Sequence, residues 1–222
     1  FKNESTYSLA AAYRHVFMEQ YPRYFEIKAG VGRALGISAE LYQPWGSSPY
    51  FMAPKFDISR DSLFVRQAGD IIAEYHTACG EVMLRSGRAL GSHGEGFIGL
   101  RRGKGRFSRS IGNPDLPESS FESAFVGGGL SYDSLDQPDF PRLGAMAQLE
   151  YWYSSSSLGA DSNFSLMGGG GALPLTWGED TLLLAGAFGW SPGVIPVEYS
   201  NVLGGFLNVS GFSLDSLTAA DY

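Results

Sequence analysis

"RLGAMAQLEYWY", residues Arg142 to Tyr153, alternates between two kinds of side chain at every second position. One set is Leu143, Ala145, Ala147, Leu149, Tyr151 and Tyr153; the other is Gly144, Met146, Gln148 and Glu150. A period of two residues is that of an extended strand, whose successive side chains point to opposite faces. The segment therefore predicts a β-strand with one apolar face, of about ten residues, the length of a tilted membrane strand.

The same alternation recurs along the chain, for example where Phe25, Ile27 and Val31 alternate with Glu26 and Lys28. Ser38 and Glu40, and then Ser123 and Ser131, belong to the polar faces of two further segments. We predict eleven strands, near residues 5–16, 23–34, 36–44, 50–59, 62–77, 80–90, 94–103, 120–132, 143–154, 162–175 and 180–190.

Two features distinguish a membrane barrel from a soluble β-protein with a ligand cavity, which is the alternative. Aromatic residues lie near the predicted strand ends, as in the girdles of outer-membrane barrels: Tyr7, Tyr13, Tyr24, Tyr42, Tyr132, Tyr151, Tyr153 and Trp190. Connections after even-numbered predicted strands, such as "SRDS" (59–62), are mostly tight, and those after odd-numbered ones are longer apart from a turn near Cys79. The pattern favours an all-β, antiparallel transmembrane β-barrel.

The length and composition of the chain are consistent with one domain, and they argue against some classes of partner. The 222 residues carry a net charge of −7, which argues against a nucleic-acid partner. Cys79 is the single cysteine, so neither an internal disulfide nor a cysteine metal cluster is expected. We predict one outer-membrane β-barrel segment over residues 1–222, in contact with outer-membrane lipid. An odd strand count and the polar end "SLDSLTAADY" lead us to expect that the segment stops before its barrel does.

Several short motifs resemble chemical sites without their context. "GWSPG" (Gly189 to Gly193) spells the G-x-S-x-G of serine hydrolases, but Pro192 has no N–H for an oxyanion hole, so Ser191 is interpreted as a turn residue. "GEGFIG" (94–99) and "GGGG" (168–171) are interpreted as glycine-rich strand. His76 and Cys79 have no third metal ligand beside them. We predict no catalytic, metal or cofactor site.

A run of basic residues is interpreted as a solvated loop, with an outer-leaflet lipid contact as the alternative. It consists of Arg101, Arg102, Lys104, Arg106 and Arg109.

"YDSLDQPDFPRLG" (Tyr132 to Gly144) is interpreted as a well-built turn. Asp133 and Asp136 can accept turn hydrogen bonds, Pro138 and Pro141 stiffen the link, and Gly144 precedes the next strand.

These stretches also resemble a known family. "YDSLDQPDFPRLG" and "LGGFLNVSGF" (Leu203 to Phe212, with Gly204 and Gly205) resemble in spacing the bacterial surface-antigen barrel. "AELYQPW" (39–45) and "YFMAPKF" (50–56) are similar to the barrel of patatin-like phospholipase autotransporters, the type Vd secretion proteins.

The resemblance implies a bacterial outer-membrane barrel of sixteen strands, of which this segment supplies about eleven and the sixth extracellular loop. It also implies an upstream patatin lipase and POTRA domain as partners, and assembly machinery for insertion.

One departure bears on function. BamA-type insertases carry Val-Arg-Gly-Phe/Tyr in the sixth loop, and the matching positions here are Val209, Ser210, Gly211 and Phe212. Without the arginine, the ion pair inside the barrel cannot form, and a hydroxyl needs only one hydrogen bond. The resemblance therefore implies a barrel that anchors, and helps to export, an upstream lipase. The alternative is an insertase or translocase barrel.

Overall fold

The computed structural model describes residues 8–17, 22–32, 35–67, 70–112, 119–192, 195–196, 201–203 and 217–219. Ten strands form one sheet in chain order: β1 Ser8–Phe17, β2 Arg23–Gly32, β3 Leu35–Pro44, β4 Tyr50–Gln67, β5 Asp70–Leu90, β6 Gly94–Gly112, β7 Ser119–Asp133, β8 Met146–Ser154, β9 Phe164–Trp177 and β10 Asp180–Trp190. Two short strands, β11 Asn201–Leu203 and β12 Leu217–Ala219, pair separately. The predicted all-β, antiparallel class is confirmed.

The predicted boundaries are wrong in the middle of the chain. The expected turns at 59–62 and near Cys79 lie inside strands, because β4 runs over Tyr50–Gln67 and β5 over Asp70–Leu90. Three predicted strands are therefore two, and over the described residues the main sheet has ten strands rather than eleven. With ten strands, the tight connection at 178–179 follows an odd-numbered strand, β9. The predicted alternation, with short connections after even-numbered strands and long ones after odd-numbered strands, is therefore wrong at this position.

The pairing register places residues of like polarity opposite one another on neighbouring strands. On one side Phe25 lies opposite Leu41, and on the other Glu26 lies opposite Glu40. Because the β2–β3 and β3–β4 pairings keep one register along their length, a face that is apolar on β2 stays apolar on β3 and β4. We call these the apolar face and the polar face.

The chain divides into two compact units, which share β5, β6 and β7. In the first (Phe1–Ser86, Gly99–Phe125 and Ser156–Asp161), the best buried side chains on the polar face include Phe51 and Phe125, each 1% exposed.

In the second (Gly87–Ile98, Val126–Ser155 and Ser162–Tyr222), the rings of Phe97 and Trp152 lie 6.2 Å apart. A Cβ at Gly127 would run into Trp152, so the indole packs where a glycine leaves room. Within the described residues, no helix has the length and apolar character to cross a membrane.

Candidate functional site

Large apolar side chains stay exposed along the apolar face in both units. They include Leu9, Tyr13, Leu35, Ile37, Ile58, Ile98, Leu100, Leu130, Leu149, Tyr151, Leu182, Leu184 and Trp190. Soluble monomers rarely expose contiguous apolar surface of more than a few hundred Å². This face needs an apolar environment of its own.

The polar face begins with an ion triad on β1 and β2. Arg14 lies directly opposite Glu26, and its Nε donates to Glu26 Oε2 at 2.6 Å. The Lys28 ammonium lies 2.6 Å from the other oxygen, Oε1. Glu26 is only 9% exposed, so both of its oxygens are neutralised where hydration is poor.

A second carboxylate follows directly across the sheet. Glu40 lies opposite Glu26, an arrangement of like charges that is unfavourable by itself. The Tyr24 hydroxyl donates to Glu40 Oε1 at 2.6 Å, and Arg85 Nη2 donates to the same oxygen at 3.0 Å. Glu26 thus has two cations and Glu40 has one, which offsets the repulsion between the two acids.

The third pair links β5 and β6. Arg101 Nε and Nη2 donate to the two oxygens of Glu81 at 3.1 and 2.9 Å, in the bidentate geometry that makes arginine–carboxylate pairs strong. The guanidinium also lies 5.1 Å from the centre of the Phe125 ring. A row of paired charges therefore runs across β1 to β6 within the first unit.

Two of the eight predicted girdle aromatics lie on the polar face instead. Tyr24 stacks on Tyr42 at 5.2 Å between ring centres, and Tyr42 stacks on Phe51 at 4.6 Å. Among the others, Tyr13, Tyr132, Tyr151, Tyr153 and Trp190 are exposed with the apolar face, and Tyr7 lies outside the described residues. Alternation parity separates the two groups, and the prediction of an aromatic girdle did not use it.

The β7–β8 loop brings together the predicted residues Asp133, Asp136, Pro141 and Gly144. Asp133 Oδ1 accepts from the Leu135 N–H at 3.0 Å, which is an Asx turn. Asp136 Oδ1 accepts from the N–H groups of Arg142 and Leu143 at 2.9 and 3.2 Å. The second aspartate closes the loop upon itself.

Proline and glycine fix the end of that loop. Pro141 is buried, and Gly144 has φ +93°, a left-handed conformation that favours glycine. A Cβ at 144 would also collide with the Ser134 carbonyl oxygen. Arg142 Nη2 donates to the Gly178 carbonyl at 2.6 Å, which ties this loop to the β9–β10 turn.

The hydrogen bonds to Asp136 favour its charged form. Backbone N–H donation, first from Arg142 and then from Leu143, holds the pKa of the Asp136 carboxyl below its usual range. The carboxylate stays charged at neutral pH, and its role is to order the loop.

Ser191 follows the last residue of β10 and is 3% exposed. Its Oγ donates to the Ser165 carbonyl at 2.6 Å, so the hydroxyl proton is engaged in a structural bond.

The other motifs lie within strands. "GEGFIG" is part of β6, "GGGG" of β9, and His76 and Cys79 of β5.

The interpretation of the basic run as a loop is wrong, because β6 extends to Gly112. Strand alternation divides the run: Arg101 pairs with Glu81, whereas Arg102 and Lys104 both pair with Glu122, at 2.5 and 2.6 Å. The remaining predicted residues Gly204, Gly205, Ser210, Gly211 and Phe212 lie outside the described residues.

Sequence inspection placed Glu26, Lys28 and Glu40 on a polar face but missed their partners Arg14 and Arg85. The usable signal is parity, since each partner occupies the polar-face positions of its own strand. Which acid meets which cation depends on register, which one strand does not encode.

Comparison with known proteins identifies the fold. No family model matches the chain, and no curated protein matches it. Among 41 matching chains of solved structures is BamA from Haemophilus ducreyi lacking POTRA domains 1-3, at 13% identity and a TM-score of 0.71. The match covers 95% of this chain and 44% of that one, so the chain spans less than half of its structural neighbour.

The chain therefore has an all-β, antiparallel fold similar to that of the BamA barrel. That fold is not a catalytic one, and the prediction that these residues hold no catalytic site stays a prediction.

Proposed function

We propose that this chain is a membrane-spanning β-barrel domain of a bacterial outer membrane. One observation carries the proposal: a single sheet has an exposed apolar face and an opposite face of paired charges. Lipid solvates the first, and a barrel lumen accommodates the second. A soluble sheet would cover an apolar face of this kind with a second layer of structure.

Membrane integration tests this proposal directly. The protein should fractionate with the outer membrane, stay there through alkaline carbonate and urea washes, and enter solution only with detergent. Recovery of folded protein in the aqueous phase without detergent would favour the soluble β-protein instead.

Within that class, we propose that the barrel anchors and helps to export an upstream patatin-like phospholipase. Supporting it are the stretches 39–45 and 50–56, which resemble the barrel of those autotransporters. They meet at a tight turn in which the Trp45 N–H donates to the Tyr50 carbonyl at 2.9 Å. Ser210 also stands where insertases have an arginine.

The second candidate is a BamA-type insertase, which the structural similarity to BamA favours. Complementation separates the two. The full-length protein should fail to rescue cells depleted of their own insertase, and Ser210→Arg should not improve growth. Rescue by the unaltered protein would make the insertase the better function.

A further inference from the structure

A groove of about 620 Å³ crosses the apolar face of β2 to β5 in the first unit. Leu35, Ile37 and Ile58 line it, and β5 contributes the small residues Ala78 and Gly80. A Cβ built at Gly80 meets nothing within 4 Å, so the space above that glycine is open. The groove is therefore a depression in the apolar face, beside the large side chains of Leu35, Ile37 and Ile58.

One cation lies within this apolar lining. Arg60 follows Ile58 by two residues on the same face of β4 and lies directly opposite Leu35 of β3. Its side chain is exposed. Phe56, Ile58 and Arg60 thus place two apolar side chains and then a charge along one strand.

An apolar groove with an arginine in its lining matches the two parts of a membrane lipid, an apolar chain and a charged headgroup. An acyl chain can lie along Ile37 and Ile58, and the guanidinium can pair with a headgroup phosphate in the fork geometry that arginine provides. A headgroup without a phosphate would leave that cation without an anionic partner at the membrane surface.

We propose that this groove binds one phosphate-bearing membrane lipid, with an acyl chain against β2 to β5 and its phosphate on Arg60. The inference rests on the proposed membrane-barrel function and adds a defined lipid site to it.

The test is native mass spectrometry of the protein, delipidated in detergent and titrated with phosphatidylglycerol or with diacylglycerol of the same chains. The unaltered protein should retain one phosphatidylglycerol and at least tenfold less diacylglycerol. Gly80→Leu should fill the groove and Arg60→Gln should remove the charge, and each should reduce phosphatidylglycerol retention at least tenfold. Ala78→Leu replaces Gly80→Leu if the latter does not insert.

Matched controls lie elsewhere. Ala147→Leu enlarges an exposed residue on the apolar face of β8, and Arg88→Gln removes an exposed cation of β5; both should retain lipid normally. Equal retention by all variants would overturn the site. A loss with Gly80→Leu but not with Arg60→Gln would overturn the phosphate contact. Release of the unaltered protein from the membrane by alkaline carbonate would instead refute the membrane-barrel function.

Discussion

Arginine placed at two consecutive positions of β8 tests which face meets lipid. Ala147 lies opposite Gly171 of β9, which lies opposite Gly186 of β10. On β10, Leu182 and Leu184 precede Gly186 on the same face, and Phe188 and Trp190 follow it. Gly186 is thus four residues from each end of this stripe, about 14 Å along the strand at a rise of about 3.4 Å per residue. Ala147 therefore lies near the middle of an apolar band that is about 25 Å tall in such barrels.

Ala147→Arg should destabilise the protein by about 2–4 kcal/mol, the cost of arginine at the bilayer midplane. That corresponds to an unfolding equilibrium shifted by about 30-fold to 900-fold. Gln148→Arg is the matched control, because Gln148 lies on the polar face with Glu150. This substitution should lower the free energy of unfolding by about 1 kcal/mol or less.

Reversible denaturant unfolding in lipid vesicles, followed by tryptophan fluorescence, measures both variants. A larger loss for Gln148→Arg than for Ala147→Arg would refute the assignment of faces, and with it the membrane-barrel proposal.

Three further predictions concern the polar face and the loops. Ser191→Ala should leave any phospholipase activity of the full-length protein unchanged in a hydrolysis assay, and should lower the free energy of unfolding by about 1 kcal/mol because the hydrogen bond to the Ser165 carbonyl is lost. Loss of hydrolysis in a variant that still inserts into the membrane would show that Ser191 is catalytic. Arg85→Gln should lower the free energy of unfolding by about 1–3 kcal/mol, because it removes the cation that pairs with Glu40 and both side chains are only 17% exposed. The double change Glu40→Gln with Arg85→Gln should cost less than the sum of the two single changes, and strict additivity in unfolding measurements would show that the pair is not coupled. Because the folded pKa of Asp136 is lowered, its contribution is present above the ordinary aspartate pKa of about 3.9 and is lost as pH falls through the lower folded value. Exchange protection of the Arg142 and Leu143 amides should fall in that window, and Asp136→Asn should remove the pH dependence; an unchanged pH dependence in that variant would exclude Asp136 as its source.

The sequence by itself determined which side chains share a face. In β8 the apolar residues Leu149 and Tyr151 and the polar residue Glu150 lie as the alternation predicted, because a strand has a period of two residues whatever its neighbours are. The turn chemistry of Asp133 and Asp136 was also legible locally, since an Asx bond joins residues close in the chain.

Only the tertiary structure decided where strands end and which charges meet. The stretch 59–62 has the polar composition of a turn, yet β4 continues through it to Gln67. A strand persists as long as a neighbouring strand supplies hydrogen bonds, and that partner is distant in sequence. Glu40 meets Arg85 for the same reason: 45 residues separate them, and only the assembled sheet brings the carboxylate and the guanidinium within 3.0 Å.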